Sequence, residues 1–362
     1  VLSAGAVWCG LIAARISFRA DFDIWYTSDY GWIDLLVHQA SILLGCVALF
    51  MTATLLAMLL VSRRWTVPLA LVAGLLLWLE PVSVQMSHYG MNDVPLAGLL
   101  LLAWALSAHI PAEPLRLPWA SLGCGLVLGL AVGVKYQALL GLAFPGVAWL
   151  TALRDRGWPW FVVSAIALVL AWLAGVLMSC PLLIAEPGYF FARFPEFMAW
   201  QGNIMGEDLA LTAKASRNLG AVLELFTQPG YLAFLVLGVL GCLAVFLDAE
   251  ERDAWPFALS AALFCAVLTL GILFGRDFVR VNDLIPVFVF LALAVVPALR
   301  WGGSMGRWPA GAAATLAGLA VLWFTLGSVR DSAALARADT RVRARQWCRQ
   351  YLAADTTVLR ER

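Results

Sequence analysis

Charge is what this sequence has least of: Asp, Glu, Lys and Arg make up 13% of its 362 residues, about half the ~25% of an ordinary soluble domain. That scarcity excludes a water-soluble globular chain. The net charge of +1 and the lack of any Lys/Arg block before the C-terminal tail leave no electrostatic footprint for nucleic acid, so no nucleic-acid partner is expected. Histidine is scarce as well. His38, His88 and His109 lie far apart, and no H-E-x-x-H spacing exists to hold a metal. The seven cysteines, Cys9, Cys46, Cys124, Cys180, Cys242, Cys265 and Cys348, form no C-x-x-C pair, and six fall inside apolar stretches, where they read as small core residues. Also missing are an initiating methionine and a basic leader before Val1. From this we expect a piece of a longer protein, open at both ends.

What the chain has is apolar length. Hydrophobic residues make up 62% of it, and the mean hydropathy is +0.86. The apolar residues come in long runs and not in short alternating segments, so each run satisfies its own backbone hydrogen bonds as a helix. The expected fold is an all-α integral membrane protein, a polytopic helical bundle of about ten or eleven membrane helices. Spans are placed near 35–61, 66–83, 94–110, 118–134, 137–152, 160–184, 230–248, 256–274, 284–299 and 308–328. Residues 1–14 form a further apolar helix, either the end of a span or an interfacial piece. Three segments follow: an outer-loop and juxtamembrane stretch 1–34, a transmembrane core 35–328, and the start of an outer soluble domain at 329–362.

Alternation of the spans puts Arg63, Arg64, Arg116, Arg154, Arg156, Arg252, Arg300 and Arg307 in loops on one side. The positive-inside rule makes that side cytoplasmic. Residues 17–34, the 84–93 loop, the 185–229 loop and the tail then face periplasm or lumen, in a multi-pass protein of the bacterial inner or plasma membrane with its site outside. In the segment 21–34, four aspartates stand among Trp25, Tyr26, Tyr30 and Trp32, a composition that also fits an interfacial aromatic belt.

Polar residues concentrate at the outer lips. His88, Tyr89, Asn92 and Asp93 directly precede an apolar run. Asp93, with Pro95 two positions on, suits a helix cap; together with its neighbours it also suits orientation or deprotonation of a hydroxylated substrate. Lys135, followed by Tyr136, interrupts two apolar helices and reads either as a snorkelling lysine or as a phosphate ligand. Arg276 and Arg280 stand four apart before a span, with Asp277 and Asp283 close enough in sequence to pair with them. Cations and a carboxylate on one face fit a phosphate-bearing lipid held by Lys/Arg beside a hydroxyl acceptor.

The order of these motifs carries a resemblance. "WLEPVSVQMSHYGMNDVPLAGLLLLA", then "GLVLGLAVGVKYQALLGLAFP", then "FVRVNDLIPVFVFLALA", then "DTRVRARQW" resembles the GT-C-fold glycosyltransferases that use polyprenyl-phosphate sugars. This is the protein O-mannosyltransferase and aminoarabinose-transferase-like group, families 39 and 83. The matching features are Glu80-Pro81 ahead of Asp93, Lys135-Tyr136 after a Gly-rich helix, and Arg280 to Pro286 in place of an R-Y-x-x-P element whose tyrosine this chain lacks. The resemblance implies transfer of a sugar from a polyprenyl-phosphate carrier to a hydroxyl of a lipid, glycan or protein acceptor, in contact with membrane lipids. It implies Asp93 and His88 as catalytic groups, and Tyr89, Asn92, Lys135, Tyr136, Arg276 and Arg280 as substrate-binding ones. The family's principal aspartate lies in the first outer loop. Here that position is expected upstream of Val1, with Asp21 and Asp23 as fallbacks. No redox cofactor is called for, and a divalent metal on outer-loop carboxylates stays open. The competing classes are a secondary transporter and a non-catalytic membrane scaffold. Transporters carry polar groups near the midplane, whereas these spans are nearly uncharged.

Overall fold

The computed structural model describes residues 66–83, 93–180, 211–247, 255–275 and 279–335, with scattered positions between 183 and 195. Among them the helices are α1 (Thr66–Leu79), α2 (Asp93–Ser107), α3 (Trp119–Val134), α4 (Ala143–Ser179), α5 (Leu211–Thr227), α6 (Pro229–Leu247), α7 (Trp255–Gly275), α8 (Ile285–Ser304) and α9 (Arg307–Leu335), with short 3-10 turns at Ile110–Ala112, Tyr136–Leu142 and Val281–Leu284. No strand occurs among the described residues. The stretches long and apolar enough to cross a membrane are Tyr136–Ser179, Pro229–Leu247, Ala258–Gly275, Val281–Ser304 and Arg307–Arg330, and Leu96–Ala112 and Trp119–Val134 are shorter apolar helices. Their outward faces carry Leu150, Trp158, Leu170 and Leu247, each more than half exposed. Such an apolar exterior belongs against lipid. The protein is an all-α, multi-pass integral membrane bundle.

The expected pair of spans at 137–152 and 160–184 occurs as the two limbs of α4, joined by a reversal. The helix is interrupted at Gly157, whose φ of 77° is a left-handed conformation that glycine adopts without penalty, and Pro159 follows. The chain folds back there. Trp149 Nε1 donates to Ser164 Oγ at 2.8 Å, and the Trp149 and Phe161 ring centroids are 5.5 Å apart. In a straight helix, positions 149 and 164 would be about 22 Å apart. Gly306, with φ 117°, makes the corresponding reversal between α8 and α9.

The second limb of α4 returns beside α3, in the same direction. Gly125, Gly129 and Gly133, one turn apart on α3, lie against Leu168, Trp172 with Gly175, and Ser179; a Cβ at any of them would overlap those atoms. Small residues at this spacing let backbones meet where lipid gives no hydrophobic drive to association. On the other side of the bundle, Gly241 of α6 lies against the backbone of Ala294 in α8. The core between these pairs is aromatic. Phe144, Phe264 and Phe290 meet at centroid distances of 5.3–5.6 Å, and Tyr231 packs on Phe288 and Phe324. Trp104, buried among them, donates Nε1 to Ser260 Oγ at 3.0 Å, which ties α2 to α7.

This packing brings the end of α1, the start of α2, the end of α3 and the starts of α6 and α8 to one end of the bundle. Arg116, Arg154, Arg156, Arg300 and Arg307 belong to the opposite turns. The α9 helix continues to Leu335, past the expected end of the last span at 328. Residues 1–65 and 336–362 lie outside the described residues, and with them Asp21, Asp23, the 17–34 segment and the C-terminal tail from 336 on.

Candidate active site

At the first of these ends, charged side chains from three elements meet. Lys135 terminates α3: its φ and ψ of −161° and 132° are extended, and its N–H still bonds Ala131 O. The chain then re-enters a 3-10 turn at Tyr136. That break turns the lysine inward. Its Nζ donates to Asp93 Oδ1 at 2.6 Å and to Asp283 Oδ1 at 2.8 Å. Asp93 is the first residue of α2. Asp283 sits in the 3-10 turn Val281–Leu284, whose chain passes into α8 with Pro286 in its first turn. Asn282, one residue earlier, donates Nδ2 to Asp93 Oδ2 at 2.8 Å.

Burial is steep: the Asp93 and Asp283 side chains are 5% and 1% exposed, and Lys135 is 20% exposed. An isolated carboxylate at such depth would be costly, and the shared ammonium offsets that cost only in good geometry. Two carboxylates and one lysine leave the group with one net negative charge. An ammonium has three donors. Two serve the aspartates, which leaves the third N–H of this partly exposed lysine for a ligand.

A third carboxylate stands at the same end of the bundle. Glu80, fully buried, accepts from the N–H groups of Val82 at 2.9 Å and Ser83 at 2.6 Å and from the Tyr231 hydroxyl. It caps the turn that begins at Pro81 and locks α1 to α6. Ser328 donates to Leu79 O at 2.6 Å, which ties α9 to the same corner. Between these elements lies an open cleft of about 450 Å³ whose wall includes Asn282, so it reaches the ionic cluster through that amide.

The expected convergence of Asp93 with Lys135 is present, and the lysine does not snorkel to lipid. Asp283, read from the sequence as able to pair with Arg276 or Arg280, pairs with Lys135, because the 3-10 turn brings it to the end of α3. Arg280 is exposed just before that turn, and Tyr136 is half-buried beside Lys135. His88, Tyr89, Asn92 and Arg276 lie outside the described residues. Sequence reasoning missed Asn282 and the Glu80–Tyr231 bond. The only available signal was that both polar residues adjoin residues already singled out. Among the described residues, no group of three or more His, Cys, Asp or Glu is placed to hold a metal. Between Asp93 and Asp283 the lysine ammonium occupies the position a cation would take.

No family model matches the chain, and no curated protein matches it. Among solved structures it is similar to the crystal structure of ArnT from Cupriavidus metallidurans bound to undecaprenyl phosphate. The TM-score is 0.50 at 16% identity, over 90% of this chain and 67% of that one. The likeness shows the fold, a polytopic helical bundle of the GT-C type.

Proposed function

We propose that the protein is a membrane glycosyltransferase that moves a sugar from a polyprenyl-phosphate carrier to an acceptor hydroxyl. The observation that carries this reading is the buried Asp93–Lys135–Asp283 cluster at one end of the bundle, with a partly exposed lysine donor and a cleft beside it. The fold neighbour's bound undecaprenyl phosphate supports a carrier of that chemistry. The arginines of the opposite turns support an outward-facing site in a bacterial inner or plasma membrane.

In this reading the third N–H of Lys135, with Arg280 and Arg276 contributing charge, holds the carrier phosphate. Asp93 and Asp283 keep the ammonium in position. The acceptor oxygen attacks the anomeric carbon from the face opposite the phosphate, with inversion. The carbon–oxygen bond to phosphate breaks and its electron pair leaves with the phosphate, stabilised by Lys135. The acceptor proton passes to Asp93 Oδ2, the oxygen on the Asn282 side. His88, Tyr89 and Asn92 are assigned to the acceptor side, and Tyr136 to the carrier side of Lys135. The donor sugar is a hexose or pentose, as in the mannosyl- and aminoarabinosyl-transferring groups the motifs resemble.

The test is transfer by the full-length protein in vesicles supplied with a polyprenyl-phosphate sugar. Acceptor-dependent release of polyprenyl phosphate is expected, and Asp93→Asn should lower turnover by roughly 10²–10⁴-fold, the range of general acid–base catalysis. No sugar transfer with any polyprenyl-phosphate sugar would refute the reading. Near-normal turnover of Asp93→Asn would leave Asp93 as a helix cap.

A further inference from the structure

The two oxygens of Asp93 face different partners. Oδ1 meets Lys135, and Oδ2 meets the amide of Asn282, whose other surroundings form the wall of the cleft of about 450 Å³. Asp93 and the Asn282 amide therefore stand between Lys135 and the cleft. The cleft's volume lies within the ~300–1,000 Å³ of small-molecule sites.

Its lining has a particular chemistry. Trp323 of α9 lies along one wall, 40% exposed. Its position is fixed from behind: Gly230 of α6 is so close that a Cβ there would overlap Trp323 Cβ, Cγ and Cδ1. Facing elements supply the exposed amide of Gln228 and the amide of Asn282, with Arg330 at the rim. Tyr231 contributes only its ring, because its hydroxyl is committed to Glu80. A fixed indole face beside two amides suits a ligand with one apolar C–H face and hydroxyls around its edge. That is a pyranose or furanose ring. A lipid tail offers these amides no hydrogen-bond partner, whereas ring hydroxyls do.

We infer that the cleft between α1, α6 and α9 is a carbohydrate subsite in which a sugar ring stacks on Trp323, hydrogen-bonds Gln228 and Asn282, and points a hydroxyl toward Asp93 Oδ2. The inference rests on the proposed function for its place in the reaction. The ring belongs either to a glycan acceptor or to the donor's glycosyl unit, and binding can be read without turnover.

Saturation-transfer NMR on the full-length protein in lipid nanodiscs, with a panel of methyl hexopyranosides and pentopyranosides, measures that binding directly. At least one glycoside should receive saturation, strongest on the C–H protons of one ring face. Trp323→Leu should reduce the effect at least tenfold, and Trp308→Leu, an exposed tryptophan at the other end of α9, should not. Gln228→Ala, on an exposed side chain, should weaken it severalfold and serves where Trp323→Leu lowers the folded yield. Added polyprenyl-phosphate sugar that displaces the glycoside assigns the ring to the donor; persistence beside it assigns the ring to the acceptor. No saturation in wild type, or equal loss in Trp308→Leu, overturns the subsite and leaves the transferase assay untouched. A silent transferase assay with glycoside binding intact would overturn the proposed function alone.

Discussion

Two buried carboxylate clusters sit at opposite ends of the same helices, and they differ in kind. At one end Glu113, 1% exposed, accepts from the Ser121 N–H at 3.0 Å, the Ser121 hydroxyl at 2.5 Å and the Ser164 hydroxyl at 2.8 Å. Trp149 closes the group by donating to Ser164. Each of these side chains is occupied within the protein, by neutral donors. About 20 Å away, at the far end of α2 and α3, Asp93 and Asp283 share one lysine, the net charge is negative, and a cleft adjoins. The first cluster fastens the 110–118 turn to α3 and α4. The second holds comparable side chains but keeps a donor and an access route in reserve. Burial of a carboxylate is thus a poor marker of a site; spare hydrogen-bonding capacity beside a cavity is a better one.

The largest effect should come from Lys135→Ala. It leaves two carboxylates buried without their cation, so unfolding free energy should fall by about 3–5 kcal/mol. Vesicle assays on the surviving folded fraction should show a raised requirement for carrier. Lys135→Arg should restore most of the stability, and failure to do so would mean that the site recognises ammonium shape and not charge.

Next in size is the α3–α4 contact that carries Lys135 to its place. Gly129→Val forces backbones apart where no flexible side chain can yield and should cost about 1–3 kcal/mol of stability, the range for overpacking. Thermal unfolding in detergent reads the loss. A neutral result would show that α3 and α4 are not held by backbone proximity. Smaller again is Ser164→Ala at the closed end. It removes one donor from Glu113 and leaves the Trp149 N–H unpaired, which should cost about 1–2 kcal/mol and leave turnover per folded molecule unchanged. Altered turnover would show that the two clusters are coupled. The smallest change is a cysteine introduced at Asp155, beside the Gly157 reversal. In the proposed orientation it should react with an impermeant thiol reagent only after permeabilisation, and labelling in intact cells would invert the bundle.

The bundle itself was legible because apolar length and lip polarity are properties of contiguous sequence. Even the α4 reversal was visible as two spans around Gly157 and Pro159. Asp93 and Lys135 were legible as a pair through motif order. The partner of Lys135 was not. Asp283 is 148 positions away, and the nearby arginines offered a local partner that drew the reading toward them. The Glu113–Ser164 bond, across 51 positions, had no sequence signal, since a glutamate in a short loop reads as solvated. Trp323 was hidden for the converse reason: an aromatic in a membrane helix reads as lipid-facing unless a glycine such as Gly230 is known to stand behind it.

The proposed transfer chemistry belongs to the charged end of the bundle and not to the closed one. Its most direct test compares two isosteric changes in one assay, Asp93→Asn and Glu113→Gln, each normalised to folded full-length protein in vesicles with the same polyprenyl-phosphate sugar. The first should lower turnover by roughly 10²–10⁴-fold, while the second should stay within about threefold of wild type, a difference under about 1 kcal/mol. Equal losses from the two, or a larger loss from Glu113→Gln, would contradict that placement of the chemistry.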